Sequence, residues 1–256
     1  MNLNTQDLWK WQSFHGWLTD ISVNSLNEFA AIGQGGKIMG YDNAGKRWKD
    51  YPGNKKGGIS ITLLQGHKVF VCFKNKIEMF TPKSPKIADR FEGVWKRIQG
   101  CCRDIDSSDN DEIIIIGCKN LKHGHNIQRN LGGNYQKWAD IWGQAVRIGV
   151  GSEGHIVVSN KDKDIFWKKN INAPWIKTPG KAHDVSVSVG GVIVVIGTDQ
   201  HVYYSTVPGP RPQFVKNNGM GYRVSCWSWR SPMVVGMDHA AFRAELNGAA
   251  AHSFPK

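Results

Sequence analysis

The 256 residues are enough for one large domain or two small ones to bury a core without disulfide or metal staples. Apolar residues at 40% and charged residues at 21% exclude a disordered chain, no apolar run reaches the length of a membrane span, and residues 1–6 lack the apolar stretch of a signal peptide. A balance of 33 Lys+Arg against 21 Asp+Glu gives a net charge of +12, so acidic partners have to be weighed.

Along the chain, an aromatic residue is followed five positions later by Gly, and five or six positions after that by Ile or Val, six times over. The sets are Trp11, Gly16 and Ile21; Trp48, Gly53 and Ile59; Trp95, Gly100 and Ile105; Trp138, Gly143 and Ile148; Trp175, Gly180 and Val185; Phe214, Gly219 and Val224. Around each anchor, apolar and small polar residues alternate as in a half-buried strand, for example Ile21-Ser22-Val23 and Val185-Ser186-Val187. A second apolar run follows (29–32, 69–71, 113–116, 156–158, 192–196 and 233–235), too short and too β-branched for a helix. A third strand falls at Ile38, at Ile77, at 165–167 and at 202–204, and the aromatic of the next set starts a fourth. Four short strands in each unit of about 40 residues is the spacing of a β-propeller. The expected fold is therefore all-β: one six-bladed propeller of four-stranded blades over residues 1–247, with a tail at 248–256. The last unit reaches only its third strand, so an N-terminal strand at 8–14 is expected to complete that blade, with the tail and its Phe254 as the competing occupant.

The unit, aromatic-x4-Gly-x3-(Asp/Arg)-(Ile/Val)-Ser followed by an apolar run and Gly, resembles the tectonin repeat. The likeness extends from Trp9 to about Leu246 and is strongest at residues 11–41, 175–204 and 214–243. The family's Trp-Gly-Val-Asn stretch survives only in eroded forms such as Ile196-Gly197-Thr198-Asp199, and the units around Ile59 and Ile105 carry insertions. This resemblance implies a lectin of innate defence that binds bacterial or methylated surface glycans through repeated shallow sites. A propeller scaffold that binds another protein is the alternative.

The in-register aromatics Trp11, Trp48, Trp95, Trp138, Trp175 and Phe214 are expected to pack between blades, because a residue recurring in every unit is a requirement of the fold. Trp17, Trp142, Trp167, Trp227 and Trp229 are not required by the repeat, and are the candidate platforms for stacking on a sugar face. Just before the anchors stand Asp20, Asp104, Arg147, Asp184 and Arg223; they either form salt bridges around the ring or, with Arg147 and Arg223 foremost, hydrogen-bond sugar hydroxyls.

Residues 104–112 are rich in Asp but place Asp109 and Ile115 where a calcium loop needs Gly and a carboxylate, so a solvated hairpin is expected. His123 and His125 lack a third ligand for zinc and read as a solvent-exposed loop. No nucleophile elbow, zincin motif or phosphate loop occurs, and the innermost strands offer mainly Ser, Val, Ile and Gly, so no enzymatic activity, metal or cofactor is expected. The lysines are spread among the units rather than gathered into a nucleic-acid stripe, which points to glycan or protein partners on anionic surfaces. Cys72, Cys101, Cys102, Cys118 and Cys226 are odd in number and include a vicinal pair. They suggest a reducing compartment, the cytoplasm, or release without a signal peptide.

Overall fold

The computed structural model describes residues 9–108, 110–205, 209 and 211–247; the tail at 248–256 lies outside the described residues. The first described strand is β1 (Trp9–Phe14). Next come β2 (Leu18–Val23), β3 (Phe29–Gly33), β4 (Ile38–Asp42) and β5 (Arg47–Asp50), an antiparallel sheet whose spatial order is the sequence order. The same meander recurs in β6 (Gly58–Leu63), β7 (Val69–Phe73), β8 (Lys76–Pro82) and β9 (Gly93–Ile98), and again in β10 (Asp104–Ser107), β11 (Ile113–Leu121), β12 (Gly124–Asn130) and β13 (Trp138–Ala145). A seven-stranded sheet follows: β14 (Arg147–Val150), β15 (Ile156–Ser159), β16 (Asp164–Lys168), β17 (Ile176–Val187), β18 (Ile193–Gly197), β19 (His201–Ser205) and β20 (Phe214–Met220). Here β17 does two jobs: Ile176, Lys177 and Lys181 pair with β16, and Ala182 to Val187 pair with β18. The final sheet joins β21 (Arg223–Ser225), β22 (Met233–Val235) and β23 (Ala241–Leu246) to β1, which runs antiparallel to β23 from Trp9 opposite Leu246 to Phe14 opposite Ala241.

The pairing registers correct one anchor. Ile21, Ile105, Ile148, Val185 and Val224 each face the residue ten positions later on the second strand, but in the second repeat it is Ile61, opposite Val71, that does so. Ile59 instead occupies a β-bulge between Gly58 and Ser60, where Thr19 and His183 stand in their own repeats. The glycine-containing insertion at 54–58 lengthens the approach to the strand and shifts the anchor by two.

Both faces of these sheets are covered, which explains apolar runs without alternation such as Ile113 to Ile116, all fully buried. The buried apolar residues fall into clusters between the faces of successive repeats; one joins Ile21, Phe29 and Ala31 to Met233, Val235 and Ala241 of the last sheet.

The recurrent Gly and aromatic are two halves of one joint. Each Gly lies against the aromatic of the next set: Gly16 against Trp48, Gly53 against Trp95, Gly100 against Trp138, Gly143 against Trp175, Gly180 against Phe214, and Gly219 against Trp11. A Cβ on Gly143 would stand 2.7 Å from Trp175 Nε1, and its φ of +142° disfavours any side chain. Three of the indoles lock the joint, Nε1–H donating to a backbone carbonyl: Trp95 to Pro52 at 2.7 Å, Trp138 to Gln99 at 2.7 Å and Trp175 to Trp142 at 2.5 Å.

The cysteine expectation is also corrected. Cys72 of β7 is disulfide-bonded to Cys102, and Cys101 to Cys118 of β11, leaving Cys226 free and buried. The vicinal residues do not pair with each other; each reaches a different sheet, so together they staple the second repeat to the third.

Candidate functional site

The first strand of each repeat faces a central channel and contacts its neighbours in order, β2 with β6, β6 with β10, β10 with β14, β14 with β17, β17 with β21, and β21 with β2. Side chains of one inner strand satisfy backbone N–H groups of the next. The Asp20 carboxylate accepts from Ile61 N–H at 2.9 Å, Asp104 from Ile148 and Asp106 from Val150 at 2.8 Å, and Asp184 from Val224 at 2.8 Å. Ser22, Ser186 and Ser225 do the same for Leu63, Cys226 and Val23 at 3.0 Å. Short polar residues recur here because an acceptor is needed at each otherwise unpaired strand edge.

Two positions of this ring hold a cation instead. Arg147 lies 3.3 Å from Asp104 and 3.6 Å from Asp184, while Arg223 lies 3.3 Å from Asp20 and 4.0 Å from Asp184. The Asp and Arg residues before the anchors thus form the salt-bridged arc, one of the two roles open to them from sequence. Burial pushes the Asp20 carboxyl up to about 6 against the pull of Arg223. Burial likewise raises Asp184 to about 7, opposed by Arg223 and Arg147, and Asp106 to about 7, opposed by hydrogen bonds from Val150 and Ser107. The lining leaves only about 20 Å³ of open space.

A second kind of site recurs between repeats, on the flank of the Gly–aromatic joint. Gly143, Val158, Phe166 and Trp175 line a cleft of about 350 Å³; Gly180, Val195, Tyr203 and Phe214 line one of about 480 Å³; Gly219, Val234, Phe242 and Trp11 line one of about 180 Å³. These are equivalent positions, because Phe166, Tyr203 and Phe242 each pair with the anchor-facing residue of the second strand. At that register the first three repeats carry Met39, Glu78 and Gln128. Glu78 is held by Lys55 at 2.7 Å and Lys76 at 2.5 Å. An aromatic third-strand residue is the signal that marks these clefts, and sequence reasoning passed over it.

The first cleft carries an exposed indole. Trp142, 87% exposed, forms one wall beside the half-buried Trp175. Gln144, Asn160 and His123 supply a polar rim; His123 Nδ1 lies 2.7 Å from an Asp162 carboxylate oxygen, and its backbone N–H donates to Gln144 Oε1 at 2.7 Å. In the second cleft burial opposes the charge of Asp199. Hydrogen bonds from Lys216 and Tyr203 outweigh it and hold the carboxyl well below its ordinary range.

The other tryptophans singled out from sequence are not gathered. Trp17 stacks on His239 with ring centroids 4.0 Å apart, Trp167 is buried in the core, and Trp227 and Trp229 are half-buried beyond β21, against two different core clusters. Only Trp142 of the five stands in a cleft, while Arg147 and Arg223 stand in the channel arc. The Asp-rich stretch is not simply a solvated hairpin, since Asp104 and Asp106 belong to the channel wall on β10, and Asp109 lies outside the described residues. Among the described residues no three His, Cys, Asp or Glu side chains are grouped to hold a metal, and no helix is long and apolar enough to cross a membrane.

Repeated meander sheets around a polar channel define a β-propeller, and comparison with solved structures agrees. No family model matches the chain, and no curated protein matches it. The chain is similar to "YCF48 bound to D1 peptide" (11% identity, TM-score 0.58, covering 94% of this chain and 98% of that one). It is similar to the WD40 β-propeller domain of Doa1 at 13% identity and TM-score 0.58, covering 95% and 98% of the two chains. It is also similar to XC5397 from Xanthomonas campestris, described as a gluconolactonase, at 10% identity and TM-score 0.66, covering 96% and 93%. That last likeness overturns the expectation that the chain is not an enzyme: the architecture is one that carries catalysis. The physical ground for that expectation fails too, because the inner strands do gather acids, Asp20, Asp104, Asp106 and Asp184, at the channel.

Proposed function

We propose that the chain is a multivalent binding propeller of the tectonin type. Its six four-stranded blades form a ring over residues up to 247, closed by β1 in the last blade, and its clefts between blades each take one small ligand group. The carrying observation is the recurrence of one aromatic-floored cleft at three equivalent junctions. The group best suited to the Trp142 cleft is a sugar ring of a surface glycan: an indole face covers C–H groups, and Gln144 and Asn160 meet hydroxyls. Trp17, Trp227 and Trp229 are secondary contacts at other points of the rim. Single sites of this kind bind weakly, so repetition supplies the avidity. Two disulfides favour an oxidising environment, where surface glycans are met.

A protein-binding scaffold is the second reading, and among the comparisons the neighbour bound to a peptide speaks for it more than any speaks for glycans. One experiment separates them. A glycan array that includes methylated and bacterial glycans is expected to give reproducible hits that Trp142→Ala abolishes. No reproducible hit, together with a peptide-array signal insensitive to free sugars, overturns the lectin reading in favour of the scaffold.

A further inference from the structure

At the N-terminal ends of the inner strands the channel widens into a mouth of about 590 Å³. Its shape comes from the residue just before each ring position. Ile59 and His183 sit in β-bulges, and Arg103, Val146 and Tyr222 lie immediately before β10, β14 and β21; all five line the mouth. A bulge turns a side chain out of the sheet and toward such an opening.

The mouth is built of cations. Arg103, Lys161 and Lys163 converge with His125 and His183, while Arg147 and Arg223 form the deeper edge. Among the described residues no Asp or Glu lines it. The acids nearest in sequence to the two lysines are engaged elsewhere, Asp162 by His123 and Asp164 by Lys177 and Lys181. The channel carboxylates Asp20, Asp104 and Asp184 are engaged by Arg147 and Arg223, so they do not neutralise the outer three cations. Among the described residues His125 Nδ1 is buried without a hydrogen-bond partner, and burial, then the Arg103 charge, lower the basicity of its ring. Ile59, Val146 and Tyr222 add apolar wall between the charges.

We propose that this mouth is a binding site for an anionic, sugar-sized ligand carrying phosphate or sulfate esters. Arg103, Lys161 and Lys163 pair with the esters, and Ile59, Val146 and Tyr222 cover the carbon skeleton. The site lies apart from the clefts between blades and does not depend on the glycan reading of them.

Isothermal titration at about 150 mM salt, where diffuse attraction is screened, tests this with two probes: inositol hexakisphosphate for phosphate esters and sucrose octasulfate for sulfate esters. Saturable binding of at least one probe at one site per chain is expected, and the tighter probe identifies the ester. The exposed pair Arg103→Gln and Lys161→Gln together are expected to weaken binding at least about tenfold, since charge-assisted hydrogen bonds are lost. Lys163→Gln alone is expected to act in the same direction. The control pair Lys10→Gln and Lys96→Gln removes the same charge from exposed strand positions and leaves binding within about twofold, as does Trp142→Ala. Absence of saturable binding by either probe, or equal weakening by the control pair, overturns the proposal.

Discussion

Replacing Asp184 by Asn sets burial against ion pairing in the channel. Asp184 is 5% exposed, accepts the Val224 N–H at 2.8 Å, and lies 3.6 Å and 4.0 Å from Arg147 and Arg223. Burial wins, raising its carboxyl from an ordinary 3.8 to about 7. A folded-state acid raised in this way holds its proton after the unfolded chain has lost it, so stability falls as pH rises through that window. At about 1.4 kcal/mol per unit the full effect is about 4 kcal/mol, complete above pH 7 and absent below about pH 4. Asn keeps an oxygen for the Val224 N–H but does not titrate. The assay is urea unfolding of both proteins from pH 4 to pH 8, read as the difference, wild type minus Asp184→Asn. Subtraction cancels His125 and His155, whose lowered basicity works in the opposite direction. The difference is expected to decline by about 4 kcal/mol toward pH 8. A difference that rises with pH would mean the two arginines dominate, and a flat one that the carboxyl is not perturbed; either refutes the reasoning.

Gly143→Ala is expected to destabilise by about 2–3 kcal/mol, because the new Cβ meets Trp175 in a backbone conformation that disfavours it; an unchanged urea midpoint would contradict the joint. Reducing the disulfides is expected to remove about 3 kcal/mol for the 17-residue separation of Cys101 and Cys118, and slightly more for the 30 residues between Cys72 and Cys102. Thermal unfolding with and without a phosphine reductant measures it, and identical midpoints would show the bridges to be without effect. Trp142→Ala is expected to leave stability within about 0.5 kcal/mol, as the ring is 87% exposed, so a drop in melting temperature would show that this ring supports the fold.

Much of the architecture was readable because its two recurrent residues, Gly and an aromatic, are steric partners across every joint, and steric demands leave a regular trace. The slip from Ile61 to Ile59 arose where a bulge and a glycine-containing insertion displaced the strand without disturbing its apolar pattern. The disulfides were hidden because each vicinal cysteine pairs across a different sheet, a relation with no local spacing. The channel acids were visible one by one, but that four of them meet depends on how successive inner strands pack side by side. The clefts were missed at Phe166, Tyr203 and Phe242 because an aromatic in a third strand looks like ordinary β-propensity until its neighbour across the joint is known.

The unbroken run of β17 has a mechanical consequence. Where it passes from one sheet to the next there is no loop to act as a hinge, so strands β14 to β20 are tied through it, and the amide hydrogens of those strands should exchange together. A chain cut within residues 51–57 severs no strand and divides only the last sheet, parting β1 from β23. A chain cut at Pro179 severs a strand on which two sheets depend, and its halves should fail to reassemble.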